Sequence, residues 1–432
     1  MNFVRTDEIT QIWHKAFNDA ANKADELGPI RPMYIGIDQL ALENNACKIR
    51  DRIGRRGLCA VLKGDAYGHG VDLVAPKLAE FCSSMAVVDN TEACMVREVD
   101  PFIQLIRLRI GSSSEIEQAL KADWAVREMA GTVEKLREIN QVAGYVGRNV
   151  EVHLSLDVAN LGRNGFFIGD VAAFYKKIDE ILGFPHIQIS SIACHLAGAG
   201  TCEDVTNPND PNRTTIDRFI YLAKLLTAKI VDRGCAAPDV SAYSSAASCA
   251  FGALNLIEEA GFRCFDRIGN SLFGITSENS FPEPGTRQVM HVGTKVCDVI
   301  HRHRGETIGY EHSYKVESSS GEDVALLGVG WLSLSRYQQG IGKTETPGYA
   351  INRDGGRHMF IGRQSMNIST LKAKSDDGST AKVGDMLFLT TDQGPVDTRP
   401  TVPRVAAWMG GVQPEFVTSS FGSSSSSLRF AF

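Results

Sequence analysis

The chain has 432 residues, more than a single hydrophobic core usually serves, which predicts two domains. Its apolar content of 43%, charged content of 22% and net charge of −6 are ordinary for a soluble globular protein. With basic residues spread along the chain and no apolar run of bilayer length, nucleic acid is excluded as the main partner and no membrane span is expected.

Residues 1–30 read as an amphipathic helical extension; they hold no continuous apolar block, so no signal peptide is expected and the cytoplasm is the expected compartment. From 31 to 285, β-type runs alternate with helical patterns. "MYIGI", "CAVLK" and "SSMAVV" each precede a helical stretch, as do "VEVHLSL", "IQISSIACHL" and "DVSAYS", and "CFDRIG" closes the series. Strand-then-helix repetition with short connections predicts an α/β fold, a (β/α)8 barrel, with a doubly wound open sheet as runner-up. "NSFPEPGTRQ" (279–288) reads as a linker. From 286 to 432, strand-like runs separated by Gly, Asp and Ser turns predict a C-terminal mostly-β domain without long helices, and "SSFGSSSSS" reads as a flexible tail.

Ten cysteines show neither CxxC nor Cys/His ligand spacing, so most read as small buried hydrophobes and no metal site is expected. In "HRHRG", His301 and His303 would share a strand face, but with no carboxylate or cysteine partner nearby a polar strand or turn is the reading.

The chemistry-bearing residues collect at predicted strand ends. Lys63 ends "CAVLK" before the loop "GDAYGHG"; Arg163 and Asn164 follow "VEVHLSL"; His195 closes "SSIACHL"; Ser244 and Ser245 follow "DVSAY"; Arg267 follows "CF". In a parallel barrel those ends form one rim, so these residues converge. A partly desolvated lysine can lose its proton and add to a carbonyl, while glycine loops and hydroxyls donate to a phosphate. Together they describe a site for pyridoxal 5′-phosphate. Neither GxGxxG after a strand nor GxxxxGK[ST] is present to support a nucleotide.

On these motifs the chain resembles the alanine racemases, whose barrel is followed by a β domain. "AVLKGDAYGHG" is similar to their cofactor-lysine motif, which implies that Lys63 carries the cofactor and that Tyr67 donates to its phosphate. "RIGNSLFG" resembles the family's RxGxxxYG, implying Arg267 at the pyridine nitrogen and Gly269 and Asn270 in the phosphate loop. "SSAA" resembles NSAA, implying Ser245 at the phosphate, and His195 matches the THxA histidine. "GETIGYEH" and "GRQSMN" resemble GxxVSYG and GxVSMD, implying Tyr310 as second catalytic base and Met366 beside the substrate carboxylate. "HLSLDVANLGRNGF" is closer to the broad-specificity amino-acid racemases, which accept long and basic amino acids. Arg163 and Asn164 fit that pattern at the cofactor and substrate, Asp157 stands where Asn is usual, and Ser155 stands where many alanine racemases carry a carbamylated lysine.

The resemblance further implies a two-base inversion by Lys63 and Tyr310, with Tyr310 kept near His195 and Arg267. It implies a homodimer whose active sites are shared. Trp331 replaces a tyrosine near the substrate entrance, and Pro414 stands where a phosphate-contacting tyrosine is expected. In the broad-specificity subfamily two cysteines placed like Cys59 and Cys82 can pair; here a disulfide and the periplasm stay open beside free thiols and the cytoplasm. The alternatives are another pyridoxal-phosphate enzyme of this fold (a decarboxylase, aldolase or other lyase), or a non-catalytic binder of the cofactor.

Overall fold

The computed structural model describes residues 6–27, 31–196, 198–202, 204, 206–275, 285–334, 348–397, 399–409, 413–423 and 427–432. Short runs that are apolar on both faces fit parallel strands covered by helices. Gly57–Val61, Ser84–Val87, Gln104–Arg107, Val126–Ala130, Val150–Asp157, Ile187–Ala193, Asp239–Ser241 and Phe265–Ile268 pair side by side in that order. Phe265–Ile268 returns to Gly57–Val61, and the parallel bridges Val240–Cys264 and Ser244–Arg267 join the remaining edge. The sheet is an eight-stranded barrel, as the strand–helix alternation predicts. Its helices start where a side chain accepts first-turn amides: Asp89, Ser112, Thr132, Asp170 and Asp210 all do so.

One expected barrel strand belongs elsewhere. Met33–Ile37 ("MYIGI") lies in the C-terminal sheet, antiparallel to Met290–Arg302 and parallel to Ser427–Ala431. All five of its residues are buried, and a run apolar on both faces suits either sheet equally. The barrel instead uses Gln104–Arg107 and Val126–Ala130, whose charges disguise them. Arg107 Nε meets Glu128 at 2.8 Å and Arg127 meets Glu151 at 2.9 Å, so the charges are paired across strands.

The C-terminal domain is mostly β; among the described residues it carries, besides the single helical turn Trp331–Leu334, two short helices, Val402–Trp408 and Pro414–Gly422. The second corrects part of the expectation of a flexible "SSFGSSSSS" tail, since 419–422 are helical. Val417 and Phe421, four apart, are buried on one face of it, and the chain then enters the sheet as Ser427–Ala431; 424–426 lie outside the described residues. Of the linker, 279–284 lie outside them too. No described helix is long and apolar enough to cross a membrane.

The N-terminal helix Thr6–Leu27 packs on this domain rather than on the barrel. Phe17 is fully buried among the rings of Trp13, Phe388, Phe430 and Phe432, with centroids 5.0–5.6 Å away. Phe17→Ala is therefore expected to destabilise the folded chain by about 3–5 kcal/mol in urea unfolding. A loss below about 1 kcal/mol would mean that the helix is not part of the core.

Candidate active site

Lys63 follows the strand Gly57–Val61, and the amide of Leu62 still donates to Ala86 O at 2.7 Å, so the sheet holds the lysine's base. The next four residues turn left-handed: φ is 66° at Gly64, 54° at Asp65, 55° at Ala66 and 56° at Tyr67. Three of them carry side chains, at a cost of roughly 1–2 kcal/mol each, which the surroundings must outweigh. Those surroundings are dense. Asp65 N donates to Glu92 Oε1 at 3.0 Å, and Asp65 Oδ1 accepts from Val71 N at 2.9 Å. Arg429 pairs with the Asp65 carboxylate, and the His69 ring stacks on Phe273 with centroids 4.3 Å apart. The helix Pro414–Gly422 lies directly on the turn: a Cβ at Gly68, where φ is +85°, would come within 2.3 Å of Thr418 O.

The turn opens into a cavity of about 130 Å³ at the C-terminal end of the barrel. Lys63, Tyr67, Arg163, Asn164, His195, Ser244 and Arg267 all line it, as the strand-end reading predicts. Arg267 is anchored by backbone rather than by acid. Its Nη1 donates to Ser241 O at 3.0 Å and Oγ at 2.5 Å, and its Nη2 donates to Cys194 O at 2.7 Å. Among the described residues no carboxylate pairs with it. Burial, then the charges of Arg267, Arg163 and Lys63, lower His195 to about 4, so this imidazole is neutral at pH 7. The Lys63 side chain reaches solvent at the mouth, yet loss of hydration and then Arg163 lower its ammonium pKa, with Glu415 pulling the other way.

Tyr67 is a protonated donor, since burial and then Glu415 raise its phenol. A Cβ on Gly269 would lie 2.3 Å from Tyr67 Oη, so only glycine lets the phenol reach this loop. Ser245 Oγ sits at the amides of Gly269 (3.1 Å) and Ser271 (3.4 Å), forming a ring of donors beside Tyr67. Ser271 was not singled out in the sequence, whereas Asn270 contributes its carbonyl to Ile275 N within the turn. Asp157 orders the Arg163 loop by accepting from Leu161 N at 2.8 Å and Gly162 N at 2.9 Å, and Ser155 Oγ donates to Asn164 O at 2.7 Å. Sequence reasoning noted both residues only as departures. The Asx-type step from Asp157 to a glycine was the available signal.

Three expected site residues lie elsewhere in the single chain. Tyr310, Trp331 and Met366 do not line the Lys63 cavity, and Tyr310 is not brought to His195 or Arg267. They sit on the C-terminal domain, with Tyr310 63% exposed. Trp331 N and Leu332 N donate to Ser365 O and Met366 O, both at 3.1 Å, which ties two of them together. Cys59 and Cys82 are free thiols, with Cys59 raised to about 11 by burial. Only half of the ten cysteines are buried. His301 does have a carboxylate partner, Asp323 at 2.8 Å across the sheet, but no metal-binding group forms among the described residues.

A strand-end lysine and a carbonyl-held arginine thus share one cavity at the barrel mouth, and a β domain follows the barrel. The alanine racemase N-terminal domain model matches residues 37–277 and the C-terminal domain model residues 289–425. The chain belongs to the alanine racemase family, and its class is that of racemases, which are isomerases. A broad-specificity amino-acid racemase of Pseudomonas putida is 28% identical over 82% of this chain and 80% of that protein. A lysine racemase of Proteus mirabilis is 24% identical over 88% and 86%. Among solved structures, alanine racemase of Clostridium difficile 630 superposes with a TM-score of 0.75 at 21% identity, over 94% of this chain and 97% of that one. The Bartonella henselae alanine racemase with covalently bound pyridoxal phosphate gives 0.72 at 19%, over 94% and 100%.

His69 and His195 are both held at about 4, against an ordinary 6.5. The unfolded chain therefore binds protons first, and the stability these groups contribute is present above about pH 6.5 and lost as pH falls towards 4. The urea midpoint should drop from about pH 7 to 5, and His69→Asn, which removes the more deeply buried imidazole, should flatten that drop. An identical pH dependence in the variant would contradict the assignment.

Proposed function

We propose that this protein is a pyridoxal 5′-phosphate-dependent amino-acid racemase, broader than alanine, that works as a homodimer with shared active sites. The observation that carries it is Lys63 and Arg267 lining one cavity, the arginine anchored by carbonyls and, among the described residues, paired with no carboxylate. The residues fit the cofactor. Lys63 offers an amine at the mouth, and the Tyr67 hydroxyl with Ser245 and the amides of Gly269 and Ser271 suits a phosphate. When bound, pyridoxal phosphate withdraws electrons from the substrate Cα and makes its proton removable.

Each residue then has a task of its own. Lys63, with its ammonium pKa lowered, can hold or release a proton at Nζ on one face of the substrate. Arg267 donates hydrogen bonds but does not give up a proton near neutral pH, so it leaves a ring nitrogen unprotonated; a decarboxylase of this fold would place an acid there. Neutral His195 beside Arg267 adds no further charge. Arg163 and Asn164, fixed by Asp157 and Ser155, supply cationic and amide groups at the rim for a carboxylate.

The second base would be Tyr310 of a second subunit. Tyr310, Trp331, Leu332, Met366 and Ile368 are all exposed on the C-terminal domain, an apolar cluster of the kind that marks an interaction surface. Trp331 and Met366 would shape the entrance from there. The names of the Pseudomonas and Proteus relatives support a range that includes basic amino acids.

A chiral assay across a panel of L-amino acids tests the reading. Inversion of several substrates in wild type and of none in Lys63→Ala is expected; a wild type that inverts none overturns it. Lys63→Ala and Tyr310→Phe, each inactive alone, should recover roughly a quarter of wild-type activity when co-refolded in equal amounts, because half the dimers then hold one intact site. No recovery would place both bases in one chain.

A further inference from the structure

Glu92 lies in the first turn of the helix Asn90–Val99, which follows the strand next to the lysine strand, and is 5% exposed. A carboxylate this buried ordinarily needs a cation, and among the described residues none pairs with it. It is satisfied by backbone instead. Oε1 accepts from Asp65 N at 3.0 Å, Oε2 accepts from Val88 N at 2.8 Å, and the Gly64 amide also turns toward it. Successive amides in a left-handed turn converge into a concavity that binds an anion, and Glu92 is the anion in this one. Its own amide is tied to Asp89 Oδ1 at 3.0 Å, so the side chain springs from a fixed helix start.

We propose that Glu92 is the positioning residue that sets Lys63 at the barrel rim, by closing the amide nest of the left-handed turn that follows it. The role rests on Lys63 being the cofactor lysine. Without the carboxylate, two converging donors face each other unpaired, and the turn no longer has a partner on the helix after the neighbouring strand. The amine would then sample positions beside the productive one while the barrel stays folded. The other clamps come from the C-terminal segment: Arg429 pairs with the Asp65 side chain, and Thr418 lies against Gly68 at the far end of the turn.

Glu92→Gln keeps the volume but opposes an NH2 group to one of the amides; Glu92→Asp keeps the charge with a shorter reach. The test measures hydrogen exchange of residues 62–71 in the cofactor-free protein, absorption on titration with pyridoxal 5′-phosphate, and kcat and KM. In Glu92→Gln, exchange in this segment should quicken about tenfold or more, while the strand Val150–Asp157 exchanges as in wild type. The absorption of the bound cofactor should shift, and kcat should fall about 10–100-fold with KM changed less than about threefold. Glu92→Asp should lie between the two, and it carries the comparison if Glu92→Gln does not fold. Unchanged exchange in residues 62–71, faster exchange throughout the barrel, or an unaltered kcat with a loosened turn would each overturn the proposal. A wild type that binds no cofactor would sink the functional reading instead, and the exchange comparison would still decide whether Glu92 holds the turn.

Discussion

The left-handed turn from Gly64 to Tyr67 is the constraint on which the rest of the molecule depends. Four consecutive residues occupy a backbone region that L-residues avoid, immediately after the lysine that lines the cavity at the barrel mouth. Such a turn persists only where the surroundings over-determine it, and here they come from three directions. Glu92 holds it from the helix after the next strand, Phe273 from beneath His69, and the C-terminal segment from above through Thr418 and Arg429. That same segment ends as Ser427–Ala431 beside Met33–Ile37, whose other neighbour is Met290–Arg302. The turn after the lysine is thus contacted by the β domain as well as by the barrel.

The electrostatics of the mouth follow from the same economy of acids. Lys63, Arg163 and Arg267 share one small cavity, and the acid that also lines it, Asp157, is committed to two loop amides. Unneutralised positive charge does three things at once. Added to burial, which is the larger cause, it depresses the lysine and keeps His195 uncharged, and it makes the rim a place for anionic groups. A ligand carrying a phosphate, together with a substrate carrying a carboxylate, would complete the charge balance. Arg267 can remain in this environment because its donors are matched to carbonyls fixed in the barrel wall.

What was legible in the sequence, and what was not, divides along the range of the interaction. Lys63, Arg163, His195 and Arg267 could be found because each lies at or shortly after an apolar run, and a parallel barrel brings the ends of such runs together. Met33–Ile37 was misplaced because burial on both faces erases the alternation that separates sheet types. Gln104–Arg107 and Val126–Ala130 were passed over because their charges are paired across strands, which no local pattern shows. Glu92 looks like any helix acid until the fold sets it against a turn 27 residues away. The tail misled through composition: its serines suggest disorder, while Pro414 at the helix start and the Val417–Phe421 spacing specify a helix.

The central claim is that Lys63, and no other lysine, is the chemical group this architecture exists to hold. The most direct measurement incubates the native protein with pyridoxal 5′-phosphate, makes any lysine–pyridoxyl bond permanent with borohydride, and maps the modified residue by peptide mass spectrometry. The account predicts a single stoichiometric modification at Lys63, abolished by Lys63→Ala. Modification spread over surface lysines, or none at Lys63 in the folded protein, would contradict it.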